Sequence, residues 1–370
     1  MSLPPLKGLR VLELAGLAPS NFAGLILADY GCDVVRVDRP GEVFGPKDSL
    51  VRGKRSIVID LKSDSSRNVF LRLANAADIV IDPYRPGVLD RLGVGANVLC
   101  ASNPRLIYAQ LSGYRADSLV YGQRAGHDIN YLGVSGVLSL FGRKNEAPAP
   151  PGNILGDFAG GGHVLVTGIL LALIHRSSTG RGQVVRANMV DGAAYLATMP
   201  RQHLTQPAWN RPRGENLLDG AAPFYEVYKT ADDRYITVGA QEPQFYAQLL
   251  TGLGMNSSEL PDRNERTNWP ALKTIFANKF KQKTLAEWRA IFDHTDACVA
   301  PVLHMDETES PHKPLVELSE SPSLDISEQQ LFPQLSKNHG AGNLLREWLP
   351  RDFRNIVVDD IGSRVLAPKL

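Results

Sequence analysis

His127 and Asp157 are the residues of this sequence most readily given a chemical role. They sit in two glycine-flanked segments, Ala125-Gly126-His127-Asp128-Ile129-Asn130-Tyr131 and Asn153-Ile154-Leu155-Gly156-Asp157-Phe158-Ala159-Gly160-Gly161-Gly162. An imidazole exchanges protons near neutral pH, and a carboxyl group tuned by its surroundings can do the same. Set on opposite sides of one carbon, the two would remove a proton from one face and return it on the other. That inverts the centre.

Asp157 has a competing role. A long apolar helix is expected from Gly160 to Arg176, and Asp157 stands where its N-cap would be. A capping carboxylate accepts backbone N–H groups and its pKa falls, whereas a proton donor needs a raised pKa. Apolar neighbours such as Leu155 and Phe158 would then have to outweigh the helix dipole. The glycine run suggests that a ligand approaches the backbone there, with N–H groups placed to stabilise an oxyanion. Of the eight histidines, His127 is the one in a glycine-flanked loop after an expected strand, where α/β proteins place ligand sites. His163 and His175 share an expected helix but lack the i, i+4 spacing of a metal pair. Arg39, Lys62, Arg85 and Arg91 each follow an expected strand end. Each alone reads as a solvated charge; gathered at one sheet edge they would grip phosphates, and Tyr84 would lie against an adenine.

The elements that must position these residues alternate. Strands are expected at Leu9–Leu14, Asp33–Val37, Ser56–Asp60, Ile79–Ile81, Leu106–Ala109 and Val184–Ala187. Helices lie between them, one with Phe22, Leu25 and Ile26 on a single face and another with Val69, Phe70 and Leu73 inward. This alternation predicts an α/β fold with a Rossmann-like, doubly wound parallel sheet. Its first turn, Ala15-Gly16-Leu17-Ala18-Pro19-Ser20, lacks the dinucleotide fingerprint, which argues against a nicotinamide or flavin cofactor. After an irregular linker at 199–222, a hairpin is expected around Asp232-Asp233, followed by helices near Gln244–Leu253, Ala271–Phe280 and Leu285–Phe292. The large domain is therefore read as 1–198, completed by about 325–370, and a smaller α+β domain as 223–310. The stretch from Ser310 to Asn343 reads as loop, and Leu344–Leu349 as a last helix.

With 370 residues, the chain exceeds one comfortable core. Its 43% apolar and 21% charged residues, with a net charge of +1, fit an ordinary globular protein and not a nucleic-acid binder. Cys32, Cys100 and Cys298 suit a reduced, intracellular setting better than a disulfide framework. No signal peptide is expected, and the longest apolar helical stretch, Val164–Ile174, is too short to span a bilayer. The terminal Pro368-Lys369-Leu370 is a weak match to a peroxisomal address, so the expected location is cytoplasmic or peroxisomal.

Taken together, Leu6–Ala15, Gly126–Tyr131, Gly156–Gly161, Met189-Val190-Asp191-Gly192 and Glu242-Pro243-Gln244-Phe245-Tyr246 resemble the racemase branch of the family III CoA-transferase superfamily, enzymes acting on α-methylacyl-CoA thioesters. The similarity runs to about Leu303. It implies that His127 and Asp157 are the acid/base pair, with Glu242 orienting His127 and favouring its protonated form. It implies an interlocked homodimer in which Glu242 comes from the partner subunit. Coenzyme A, entering as part of an acyl-CoA substrate with no separate cofactor and no metal, would meet Arg39, Ile59, Lys62, Tyr84, Arg85, Arg91, Gly126 and Tyr131, with Asn153 near the thioester.

The sequence departs from the superfamily pattern at Gly113–Tyr121, which lacks the usual Gly-rich, Pro-containing loop, and after about Glu309. A CoA-transferase using Asp157 as a covalent nucleophile is the rival reading. His127 and Glu242 argue for the racemase, since transferases of the superfamily place a non-basic residue and a glycine-rich loop there. A Rossmann-like binding protein without catalysis is a further alternative.

Overall fold

The computed structural model describes residues 3–41, 49–206, 208–308, 314–324, 335–350, 357–358 and 365–366. The chain divides into two units: Met1–Ser135, Pro151–Leu196 and His312–Leu370 form the first, and Gly136–Pro150 with Ala197–Pro311 the second.

In the first unit, strands β1 (Arg10–Leu14), β2 (Asp33–Asp38), β3 (Lys54–Val58), β4 (Ile79–Asp82), β5 (Ile107–Ser112) and β6 (Val184–Asn188) form one sheet in the order β3-β2-β1-β4-β5-β6. Every neighbouring pair is parallel. The helices are α1 (Ala18–Asp29), α2 (Asp64–Ala76), α3 (Val88–Arg91), α4 (Ala96–Ser102), α5 (Asp128–Ser135), α6 (Val164–Thr179) and α7 (Met189–Leu196). Both sheet faces are covered, so strands such as Ile79-Val80-Ile81 are apolar throughout and fully buried. On one face Val69, Phe70 and Leu73 of α2 pack against Leu12, Val35 and Val80. On the other, Ala23 and Leu27 of α1 and Leu165 and Ile169 of α6 meet Val11, Ile79 and Ile107. The winding reverses between β1 and β4, and a doubly wound sheet opens a crevice at the carboxyl ends of such strands.

Strand β3 begins two residues earlier than its hydrophobicity suggests. Lys54, a charged residue, enters the sheet because its Nζ reaches the buried Glu13 carboxylate at 2.7 Å and donates to the Asn21 carbonyl at 2.8 Å. The strand therefore ends at Val58, which leaves Ile59, Asp60 and Lys62 on the carboxyl edge.

The helix behind Asp157 also differs from expectation. A π-helical segment, Ile154–His163, runs without a break into α6, giving 26 residues that are long and apolar enough to cross a membrane. No other helix among the described residues passes that test. The apolar stretch is thus longer than Val164–Ile174. Its inner side, Leu165, Val166, Ile169 and Ala172, packs on the sheet, and its buried Arg176 pairs with Asp78 at 3.0 Å and donates to the Arg105 carbonyl.

The described part of the C-terminal segment belongs to the first unit. The Asn338 side chain accepts from the Val58 N–H at 2.7 Å, and the helix Ala341–Trp348 buries Leu344, Leu345 and Trp348 beside Ile57 and Ile59. This covers the edge strand β3. Pro368-Lys369-Leu370 lies outside the described residues.

The second unit has a short helix α8 (Thr198–Gln202), strands β7 (Glu226–Lys229), β8 (Tyr235–Val238) and β9 (Val299–Pro301), and helices α9 (Pro243–Leu253), α10 (Trp269–Phe280) and α11 (Leu285–Phe292). The three strands are antiparallel in the order β7-β8-β9, over a core of Tyr228, Phe276, Phe280, Trp288 and Phe292. Strand β9 is an addition to the expected hairpin. Residues 136–150 group with this unit, although the sequence reads them as part of the large domain. Gly136, at φ 81°, ends α5, and Arg143 then pairs with the buried Glu226 at 2.7 Å.

The buried pair gives a stability test. Lys54→Met removes the buried amine that neutralises the Glu13 carboxylate, a loss of about 3–5 kcal/mol, while adding Glu13→Leu removes that buried charge as well and recovers most of it. Urea midpoints of the two variants check this; a single variant as stable as wild type would show that the pair is not compensating a buried charge.

Candidate active site

Two cavities open at the carboxyl edge of the parallel sheet. The larger, about 510 Å³, lies at the ends of β4 and β5 and is lined by Leu17, Arg85, Tyr114, Gly126, His127, Tyr131 and Asp157 among others. The second, about 450 Å³, lies at the ends of β1, β2 and β3, with Arg39, Ile59, Lys62 and Tyr84 in its wall.

His127 is exposed and stands immediately before α5, and its carbonyl accepts from the Asn130 and Tyr131 N–H groups at 2.8 and 3.2 Å. Its own N–H donates to the Asn130 side chain at 3.0 Å. These bonds at the helix start hold the backbone while leaving the imidazole out of the packing. Behind it, Gly126 is wedged between rings. A Cβ there would come within 2.7 Å of both the Tyr114 hydroxyl and the Tyr131 ring. The Tyr131 hydroxyl donates to the Gly126 carbonyl. Tyr114 stacks on Tyr121 and meets Tyr131 edge-on at 5.0 Å. The divergent segment Gly113–Tyr121 thus supplies one aromatic wall of the cavity. Burial, with smaller contributions from Tyr114 and Asp157, pushes the Tyr131 hydroxyl up to about 12, so it stays a donor.

Asp157 lies within the first turn of the π-helical segment and is not an N-cap. The N–H groups of Gly156 and Asp157 are taken instead by the Asp128 carboxylate, each at 2.7 Å. With that capping role filled by another residue, the Asp157 carboxyl faces the cavity. Its pKa is raised, first by burial and then by the Asp128 charge; a hydrogen bond from Asn153 and the charge of His127 act the other way. Phe158, next in sequence, packs on Phe22 with ring centroids 4.9 Å apart. Desolvation is the largest influence on this carboxyl, in the direction a proton-exchanging group requires.

The glycines after Asp157 serve packing, in place of the ligand approach read from the sequence. Gly160, Gly161 and Gly162 are buried. A Cβ on Gly160 would lie 2.7 Å from the Ala193 nitrogen, and one on Gly192 would lie 1.8 Å from the Gly160 oxygen. The π-helix and α7 thus touch backbone to backbone, which explains the Met189–Gly192 motif. The buried glycines and the occupied N–H groups of Gly156 and Asp157 leave the expected oxyanion donors without support at these positions.

Among the other expected site residues, Arg39 lies over the Tyr84 ring at 4.6 Å, and Tyr84 donates to the Ala15 carbonyl at 3.0 Å. Arg85 lines the larger cavity and donates to the Gln123 carbonyl at 3.1 Å. Arg91 ends α3, is exposed and lines neither cavity. Glu242 belongs to the second unit, where it is the residue before α9; its charge, after burial, helps raise the Cys298 thiol. Asp128 was not among the expected site residues. Its position beside His127 was legible, but its bond to a segment 28 and 29 residues away was not.

A doubly wound sheet with a histidine and a raised carboxyl in one cavity, and cations along the same edge, suits an enzyme handling a CoA-like ligand. The chain belongs to CoA-transferase family III, whose model matches residues 6–339. It is similar to the alpha-methylacyl-CoA racemases of Mus musculus and Homo sapiens, each 51% identical over 302 residues, covering 82% of this chain and 78% of theirs. Among solved structures, it is similar to Rv3272 from M. tuberculosis, with 28% identity, TM-score 0.69 and coverage of 83% and 84% of the two chains. A CAIB/BAIF family protein from Brucella suis shares the fold at 24% identity, with TM-score 0.78 over 94% of this chain and 100% of that one.

The raised Asp157 pKa has a stability consequence with a definite sign. A carboxyl whose folded pKa exceeds the unfolded value of about 3.9 binds protons on folding, so its contribution is lost as pH rises through the folded pKa. The neutral Asp157→Asn variant escapes this loss. Its melting temperature relative to wild type should climb as pH rises from about 4 through the folded pKa of Asp157. A difference that is flat or falls over that range contradicts the electrostatic account.

Proposed function

We propose that this protein is a racemase that interconverts the R and S forms of 2-methylacyl-CoA thioesters, with no cofactor beyond the coenzyme A carried by the substrate. The observation that carries the reading is the 51% identity to alpha-methylacyl-CoA racemases, joined to His127 and Asp157 in one cavity wall. The thioester acidifies its α-carbon. One of the pair removes the proton, a planar enolate forms, and the other reprotonates the opposite face. The roles exchange with the chirality of the substrate, as suits a carboxyl held above its usual range facing an imidazole.

In this reading the nucleotide end of the substrate lies along Arg39, Ile59, Lys62 and Tyr84, with Arg91 reaching the phosphates from the rim. Arg85, Gly126 and Tyr131 border the path to Asp157, and Asn153 sits near the thioester. Glu242 of the partner subunit orients His127 in an interlocked homodimer. Exposed apolar side chains in the first unit support a partner surface: Leu170, Leu171 and Ile174 on α6, and Tyr195 and Leu196 on α7, all at least 40% accessible.

Each positioned acid/base group typically contributes about 10²–10⁴-fold, so His127→Ala and Asp157→Asn should each slow racemisation at least ~10²-fold with folding intact. In deuterium oxide, wild type should place deuterium at the α-carbon of a single-enantiomer thioester without any acceptor acid. Acyl transfer to an added carboxylic acid without α-exchange would instead establish the transferase chemistry. The shared site is tested by complementation: co-expressed His127→Ala and Glu242→Ala chains should regain activity that neither variant has alone. No recovery would place both residues of a site in one chain.

A further inference from the structure

Asp128 is buried, only 5% exposed, although it follows an exposed histidine at the edge of a cavity. A single oxygen, Oδ1, accepts both the Gly156 and Asp157 N–H groups at 2.7 Å. The other, Oδ2, is buried without a hydrogen-bond partner among the described residues. A carboxylate this buried acts strongly on its neighbours, because little solvent screens it. Gly156 makes room for this arrangement: a Cβ there would lie 2.5 Å from Oδ1. The same residue is the first of α5, so one side chain joins the helix that His127 precedes to the segment that carries Asp157.

We propose that Asp128 is a positioning residue for proton transfer, fixing the Asp157 peptide relative to His127 and placing a second, buried carboxylate beside that of Asp157. Among the described residues, the groups acting on Asp157 are Asp128, which opposes its ionisation, and His127 and Asn153, which favour it; Tyr131, raised first by burial and then by Tyr114 and Asp157, is lowered by Arg85. Of these, Asp128 is the one whose carboxylate holds the Asp157 backbone. A neutral replacement removes the charge and keeps an acceptor, and so separates the two parts of the role. The inference deepens the racemase reading and rests on it for its catalytic consequence.

The test is an NMR titration of protein labelled with carbon-13 at aspartate carboxyls, the Asp157 signal being the one lost in Asp157→Asn. In Asp128→Asn the Asp157 midpoint should fall below that of wild type, and in Asp128→Glu, which keeps the charge, it should stay above the Asp128→Asn value. An unmoved midpoint in Asp128→Asn overturns the proposal. Should that variant not fold, Asp128→Ser, also neutral and an acceptor, carries the same comparison. This readout does not need turnover, so it stands apart from the racemase reading, which fails separately if wild type exchanges no α-proton. With racemisation as the readout, the acid limb of the kcat/KM profile of Asp128→Asn should move to lower pH. A uniform loss at every pH, with the limb in place, would mark Asp128 as merely structural.

Discussion

A carboxyl group that must both give and take a proton has to be partly withheld from water without being buried outright, and the arrangement around Asp157 meets that constraint. The helix start that carries it would ordinarily stabilise the ionised form. Here the N–H groups of that turn are already engaged by Asp128, and the neighbouring surface is apolar, with Phe158 against Phe22. Burial and a like charge then dominate. The close packing of Gly160 on Gly192, and of Gly162 on α1, holds the π-helical turn where this balance is possible.

The sheet supplies the second requirement, which is a shared edge. Winding order β3-β2-β1-β4-β5-β6 brings the segments after β1 to β5 to one side. Arg39 and Lys62 in one cavity and His127 in the other therefore come from different loops yet lie along the same edge. The absent glycine fingerprint is consistent with this. Pro83 approaches Gly16 closely, since a Cβ on Gly16 would lie 2.5 Å from it, and the first turn packs against the chain after β4.

Local periodicity made the first unit legible, because strands covered on both faces are continuous apolar runs and helices show one inward stripe. The residues lining the cavities were legible for another reason: most follow strand ends, where the fold class predicts ligands. What escaped was long-range or context-dependent. Lys54 joins a strand only because Glu13 and the Asn21 carbonyl receive it. Asp157 reads as a cap until Asp128, distant in sequence, is seen in that role. The glycine run reads as ligand-facing until Ala193 and Gly192 are placed against it. Strand β9 is three residues long and ends in a proline, which leaves no periodic signal. Residues 136–150 join the second unit through Arg143 and Glu226, a pairing that local sequence does not announce.

The central claim is that an imidazole and a carboxyl address one carbon from its two faces. A crystal structure of the protein with a bound 2-methylacyl-CoA measures this directly. The account predicts a His127 ring nitrogen and an Asp157 carboxyl oxygen on opposite sides of the α-carbon, each within about 3–3.5 Å of it. Both groups on the same side, or either one separated from the carbon by another side chain, would contradict it.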